Sequence, residues 1–106
     1  MYLEELEGNM VAFYCPGCGE SHMVDPKKWS VNLKTDTISP SVLVTGKRMP
    51  ENPERNPDGS YVTDSDGMVK GWYELRCHSF VKNGSIQYLS DCTHKLAGKT
   101  VPMEEI

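Results

Sequence analysis

Four cysteines and three histidines hold most of the ligand chemistry of this chain. Cys15-Pro16-Gly17-Cys18-Gly19 is a C-x-x-C knuckle whose proline and glycines tighten the backbone, so that both sulfurs face one point and main-chain amides face the sulfurs. Two such thiolates fill half of a tetrahedral zinc shell, in which sulfur sits at about 2.3 Å. Cys77 and Cys92 offer the other half. Asn83-Gly84 is the strongest two-residue hairpin signal here, and a type I′ turn at that point sets Lys82 opposite Ser85, Val81 opposite Ile86, Ser79 opposite Tyr88 and Cys77 opposite Ser90. Cys92 then lies diagonal to Cys77 on the same face, roughly 7 Å away, close enough for both thiolates to reach one ion. The expected site is a structural Zn2+ held by Cys15, Cys18, Cys77 and Cys92.

The histidines are alternates. His94 follows Cys92 by two and shares its face if the strand runs on, so it can stand in for a cysteine; His22, four residues past Cys18, is also within reach of a knuckle-bound ion. His78 points to the opposite face beside Phe80 and Leu89, where a packed, hydrogen-bonded imidazole is the plainer reading. A sharper reading gathers His22, His78, His94 and Asp91 into a polar cluster that binds a second ion or performs acid–base chemistry. The alternative for Cys77 and Cys92 is that they serve as small buried hydrophobes. Thiol redox chemistry is disfavoured, because the knuckle lacks the strand–helix–strand setting such enzymes use.

The elements that must position these residues are strands. Met10 to Tyr14 is apolar and aromatic and leads into the knuckle, Ser21 to Val24 can return beside it, and Asp25-Pro26 suits the start of one helical turn. Ser41 to Thr45, bounded by Pro40 and Gly46, is the densest β-branched run and reads as a buried central strand. Gly71 to Phe80 and Ser85 to Leu89 form the hairpin, and Thr93 to Gly98 can make a helical turn ending at the glycine. Between Lys47 and Gly71 the composition shifts to Pro, Asn, Asp and Gly, giving an exposed loop or a peripheral hairpin around Asp66-Gly67. The fold class expected is mainly β: a small zinc-ribbon-like domain with short helical turns, spanning residues 1–106 as one unit.

Composition narrows the function. A chain of 106 residues with 38% apolar side chains has a small core, for which a metal is a common supplement. Met1 to Gly8 carries three glutamates and no base, and no apolar run approaches the roughly 20 residues of a membrane span, so neither an export signal nor an anchor is expected. In the reducing cytoplasm thiolate ligands are favoured over disulfides. The net charge of −4 lacks the basic stripe that nucleic-acid binding needs. Phosphate-binding glycine loops, G-x-S-x-G and H-E-x-x-H are missing, so the chain reads as non-catalytic.

The block CHSFVKNGSIQYLSDCTHKLAGKT from Cys77 to Thr100, with the C-P-G-C-G knuckle and the segment Ser39-Pro40-Ser41, resembles a family of small uncharacterised phage and prophage proteins. The resemblance implies a phage-encoded protein of the host bacterial cytoplasm, with Cys15, Cys18, His22, Cys77, His78, Cys92 and His94 at the recurrent Cys and His positions, and it implies no activity. The expected function is an accessory binding module with a structural zinc, docking on a host or phage protein. The alternative is a metal-dependent hydrolase or nuclease that uses the histidine cluster.

Overall fold

Asn83 and Gly84 both take positive φ, 50° and 76°, and between them they close the hairpin in the expected register. β6 (Tyr73–Lys82) and β7 (Ser85–Tyr88) pair antiparallel with Lys82 opposite Ser85, Val81 opposite Ile86 and Ser79 opposite Tyr88. The computed structural model describes residues 2–106. Its strands form two antiparallel sheets. One has the order β1-β2-β3, from β1 (Glu4–Leu6), β2 (Met10–Cys15) and β3 (Glu20–Val24). The other has the order β4-β5-β6-β7-β8, adding β4 (Ser30–Asn32), β5 (Thr37–Arg48) and β8 (Thr100–Pro102) to the hairpin. The fold is mainly β.

Period-two alternation builds the core. Leu75, Cys77, Ser79 and Val81 of β6 are buried, while Glu74, Arg76, Phe80 and Lys82 between them are solvent-facing. Ile86 and Tyr88 of β7 continue that inner face. It packs against Val11, Phe13, Cys15 and Val24 of the smaller sheet, so both sheets share one apolar cluster. β5 is half-buried and not buried throughout: Val42 is sealed in, but Leu43 lies 50% exposed on the outer face.

Two local features place the remaining pieces. Asp25 starts a single turn, accepting the Lys27 N–H at its side chain and the Lys28 and Trp29 N–H groups at its carbonyl. That turn delivers Trp29 to the edge of the core, where its Nε1–H donates to the Ser41 carbonyl at 3.2 Å. Asp36, itself buried, accepts the Tyr2 and Leu3 N–H groups at 3.0 and 3.2 Å and anchors the start of the chain. β1, β4 and β8 escape sequence reading, since three residues carry too little alternation to register.

Between β5 and β6 the chain makes bridges only, Arg55 with Tyr61 and Thr63 with Val69. The second closes a turn at Asp64 to Gly67, where the Asp64 carboxylate accepts the Asp66 and Met68 N–H groups. No helix among the described residues is long and apolar enough to cross a membrane.

Candidate functional site

The knuckle lies against the inner face of the hairpin. The ligand atoms of Cys15, Cys18, Cys77 and His94 all fall within 4.8 Å of one another. Cys15 Sγ is 3.7 Å from Cys77 Sγ, and His94 Nε2 is 3.4 Å from Cys77 Sγ. Sulfurs at the corners of a tetrahedron with bonds near 2.3 Å stand about 3.8 Å apart, so this spacing suits one ion without rearrangement. The knuckle is drawn in by Tyr88, whose Oη lies 3.0 Å from Cys15 Sγ and accepts the Gly17 N–H at 3.2 Å. Tyr88 also meets the His94 ring edge to face, with centroids 4.5 Å apart. Gly17 has to be glycine, because a Cβ there would run into the His94 imidazole.

The electrostatics of the group favour a cation. Hydrogen bonds from Cys18 and then Cys77 hold the Cys15 thiol far below its ordinary range, so Cys15 carries the negative charge. That same charge works against its neighbours: Cys18 is pushed up to about 12, chiefly by its bond to Cys15, and Cys77 is pushed up by Cys15 and Cys18. Burial lowers His94, which keeps the imidazole neutral and its lone pair available. Three crowded thiols that can ionise only one at a time, with a neutral imidazole beside them, are what a divalent ion relieves by taking up the protons' place. The group can hold a metal ion.

Cys92 does not join it. The hairpin keeps its expected register as far as Tyr88 and then slips, so that Thr93, where Asp91 was expected, meets Arg76: the Thr93 N–H donates to the Arg76 carbonyl at 2.9 Å. The extra residues swing Cys92 back onto the β6 main chain, where its thiol accepts the His78 N–H and donates to the His78 carbonyl, both at 3.2 Å. His94 takes the fourth position in its stead. His22 is buried on the same face as Cys15, edge-on to Phe13, and its Nε2 has no hydrogen-bond partner among the described residues.

His78 belongs elsewhere. It faces outward, and its Nε2 lies 2.9 Å from Ser41 Oγ. Its Nδ1 lies 3.4 Å from Asp91 Oδ2, which also stands 3.6 Å from Arg76 Nη1. The alternative cluster of His22, His78, His94 and Asp91 is thus divided between two faces of the sheet, His22 and His94 inside and His78 and Asp91 outside, in keeping with the plainer reading of His78 as a hydrogen-bonded imidazole on the opposite face. Ser41 was missed as a chemical residue, and its presence at this spot depends on a break in β5. The β5–β6 register shifts between Ile38 and Val42, so three residues, Ser39-Pro40-Ser41, span the place of one and throw the Ser41 hydroxyl across to His78. Pro40 is the signal that could have found it, since proline inside a run that otherwise reads as a central strand marks a bulge.

A hydroxyl bonded to an imidazole that is oriented in turn by a carboxylate is the arrangement that makes serine a nucleophile. Here it lies in the open, with Leu43 and Phe80 exposed around it. A cleft of about 550 Å³, lined by Ser39, Phe80, Lys82, Gln87 and Thr100 among others, opens alongside. Residues 1–89 match the family described as bacterial ubiquitination-like system serine protease, BubE. The chain belongs to the BubE family. The matched span of BubE takes in Ser41 and His78, as well as Cys15, Cys18 and Cys77, and ends before Asp91. No curated protein and no solved structure matches the chain.

Proposed function

We propose that this protein is a serine protease of a bacterial ubiquitination-like system, with Ser41 as nucleophile, His78 as general base and Asp91 as the carboxylate that orients it, and that Cys15, Cys18, Cys77 and His94 hold one structural Zn2+. The observation that carries the proposal is the 2.9 Å contact from His78 Nε2 to Ser41 Oγ, made by a ring whose other nitrogen faces Asp91. The family's description as a serine protease supports the same assignment. The protein partner anticipated from the sequence is, on this reading, the substrate.

The chemistry follows from the geometry. Ser41 Oγ attacks the substrate carbonyl carbon as His78 Nε2 removes the hydroxyl proton, and the Asp91 carboxylate stabilises the imidazolium that results. The imidazolium returns the proton to the leaving amine as the carbon–nitrogen bond breaks, which leaves the acyl group on Ser41. Water then attacks the ester, gives its proton to Nε2, and Ser41 recovers that proton as the acyl group departs. The 3.4 Å spacing to Asp91 is of the long kind that free enzymes show and that substrate closes up. The bulge takes residues 39–41 out of the β5–β6 ladder, while Ser39 stays paired with Ser30 of β4.

A hydrolase is preferred to a pure binding module because a binding surface has no need of a histidine bridged between a hydroxyl and a carboxylate. It is preferred to a metal-dependent hydrolase because four protein donors already fill a tetrahedral shell and leave no position for water, with Cys15 and Cys77 buried and Cys18 and His94 half-buried. The zinc assignment rests on donor chemistry, since three sulfurs and one imidazole form a tetrahedral set of the kind structural zinc uses. Incubating the purified full chain with a fluorophosphonate probe and mapping the adduct by peptide mass spectrometry tests the nucleophile. A single adduct on Ser41, absent from Ser41→Ala, is expected; a wild-type protein that stays unlabelled, or is labelled elsewhere, sinks the assignment. Native mass spectrometry before and after chelation should show one zinc per chain.

A further inference from the structure

Cys92, freed from the ligand role, is still 91% buried and still fully engaged through its sulfur, with 9% of its surface exposed. Its two bonds go to the main chain of one residue, and that residue is His78. In a regular hairpin the N–H and carbonyl of a β6 residue are met by the main chain of β7. Here β7 ends at Tyr88. Leu89 still donates to the His78 carbonyl at 2.9 Å, but the His78 N–H has no main-chain acceptor in that arrangement and is met by the Cys92 sulfur. The next residue completes the clamp: Thr93 Oγ1 accepts the Arg76 N–H at 3.0 Å, and the Thr93 N–H donates to the Arg76 carbonyl. Two consecutive side chains thus stand in for a strand, and the residue just before them is Asp91.

We propose that Cys92 is a positioning residue of the hydrolytic site: by tying the 91–93 segment to the His78 main chain, its thiol sets the Asp91 carboxylate within reach of His78 Nδ1. The proposal rests on the hydrolase reading of Ser41. The segment needs such a tie because Asp91 is otherwise loosely held. Its side chain is 43% exposed, and its two contacts, with His78 at 3.4 Å and Arg76 at 3.6 Å, are long and screened by water. Arg76 competes with His78 for the same oxygen, so a small drift of the segment hands Asp91 to the guanidinium and leaves the imidazole unoriented. Serine can keep both bonds of Cys92. Alanine keeps neither, with little change in bulk.

The test compares wild type, Cys92→Ser, Cys92→Ala and Asp91→Asn, the last also combined with Cys92→Ala, all as full-length chain. Turnover of an activated ester and the rate of fluorophosphonate labelling at Ser41 are measured together with metal content and thermal midpoint. Cys92→Ala is expected to lower kcat and labelling by about 10²-fold, the scale of an ångström-sized misplacement. KM and zinc stoichiometry should stay unchanged, and Cys92→Ser should recover most of the loss. In the Asp91→Asn background the Cys92→Ala change should add almost nothing, because the effect passes through Asp91. Loss of zinc from both Cys92 variants would make Cys92 a ligand and overturn the proposal. So would Cys92→Ala turning over like wild type, or a loss that is undiminished without the Asp91 carboxylate. A wild-type protein inert at Ser41 would instead overturn the hydrolase reading beneath it.

Discussion

Adjacent residues of one strand serve opposite ends. Cys77 faces inward with His94 to the thiol group, while its neighbour His78 faces outward between Ser41 and Asp91. The inner group is the drier one: Cys15 and Cys77 are 0% and 1% exposed, while Cys18 and His94 are half-buried at the edge of a cleft. The outer group is wet, with Asp91 43% exposed. The difference teaches a division of labour that strand alternation makes available in a small protein. A buried staple can hold the backbone from one side while the other side of the same residues stays accessible to a substrate.

If the inner face is the staple, removing the metal should abolish both faces together. Treatment with a strong chelator is expected to unfold the chain, with loss of near-ultraviolet circular dichroism and of turnover in step, since structural zinc contributes on the order of 10 kcal/mol to domains of this kind. A chelated protein that keeps its fold and its rate would break the comparison at its root. Acid should do the same more gradually, because protons compete with the ion for the thiolates and for the His94 imidazole.

The outer face should fail alone. His78→Ala is expected to lower turnover on the order of 10⁴-fold while leaving zinc content and the urea midpoint as they were. Should His78→Ala unfold the protein or release its metal, the two faces would not be separable. Between these extremes lies Gly17→Ala, which forces a methyl into the His94 ring and should cost about 1–3 kcal/mol of stability along with weaker zinc binding, read from chelator competition. Phe80→Ala gives the smallest change. With Phe80 42% exposed beside the cleft, it should raise KM for a peptide substrate roughly tenfold, leaving kcat for a small ester untouched. An equal effect on both substrates would remove the cleft from the recognition of peptide.

Short-range pattern carried much of this molecule. The knuckle, the β2–β3 pair that frames it, and the hairpin register through Tyr88 were all legible, because each depends on residues a few positions apart and on turn chemistry that Asn83-Gly84 or a C-x-x-C dictates locally. So was the sharing of one face by Cys77, Ser79, Val81, Ile86 and Tyr88, a face that the structure buries. The choice of His94 over Cys92 was not, since it turns on a slip beyond the last regular pair, and a change of register costs the local sequence nothing that shows. Least legible was the meeting of Ser41 with His78. Those residues lie 37 positions apart, one of them behind a bulge, and no periodicity links a hydroxyl on one strand to an imidazole on the next until β5 and β6 are actually paired. Alternation told which face each side chain would take; strand pairing chose its neighbour, because contacts across a sheet are set by the packing of the whole core.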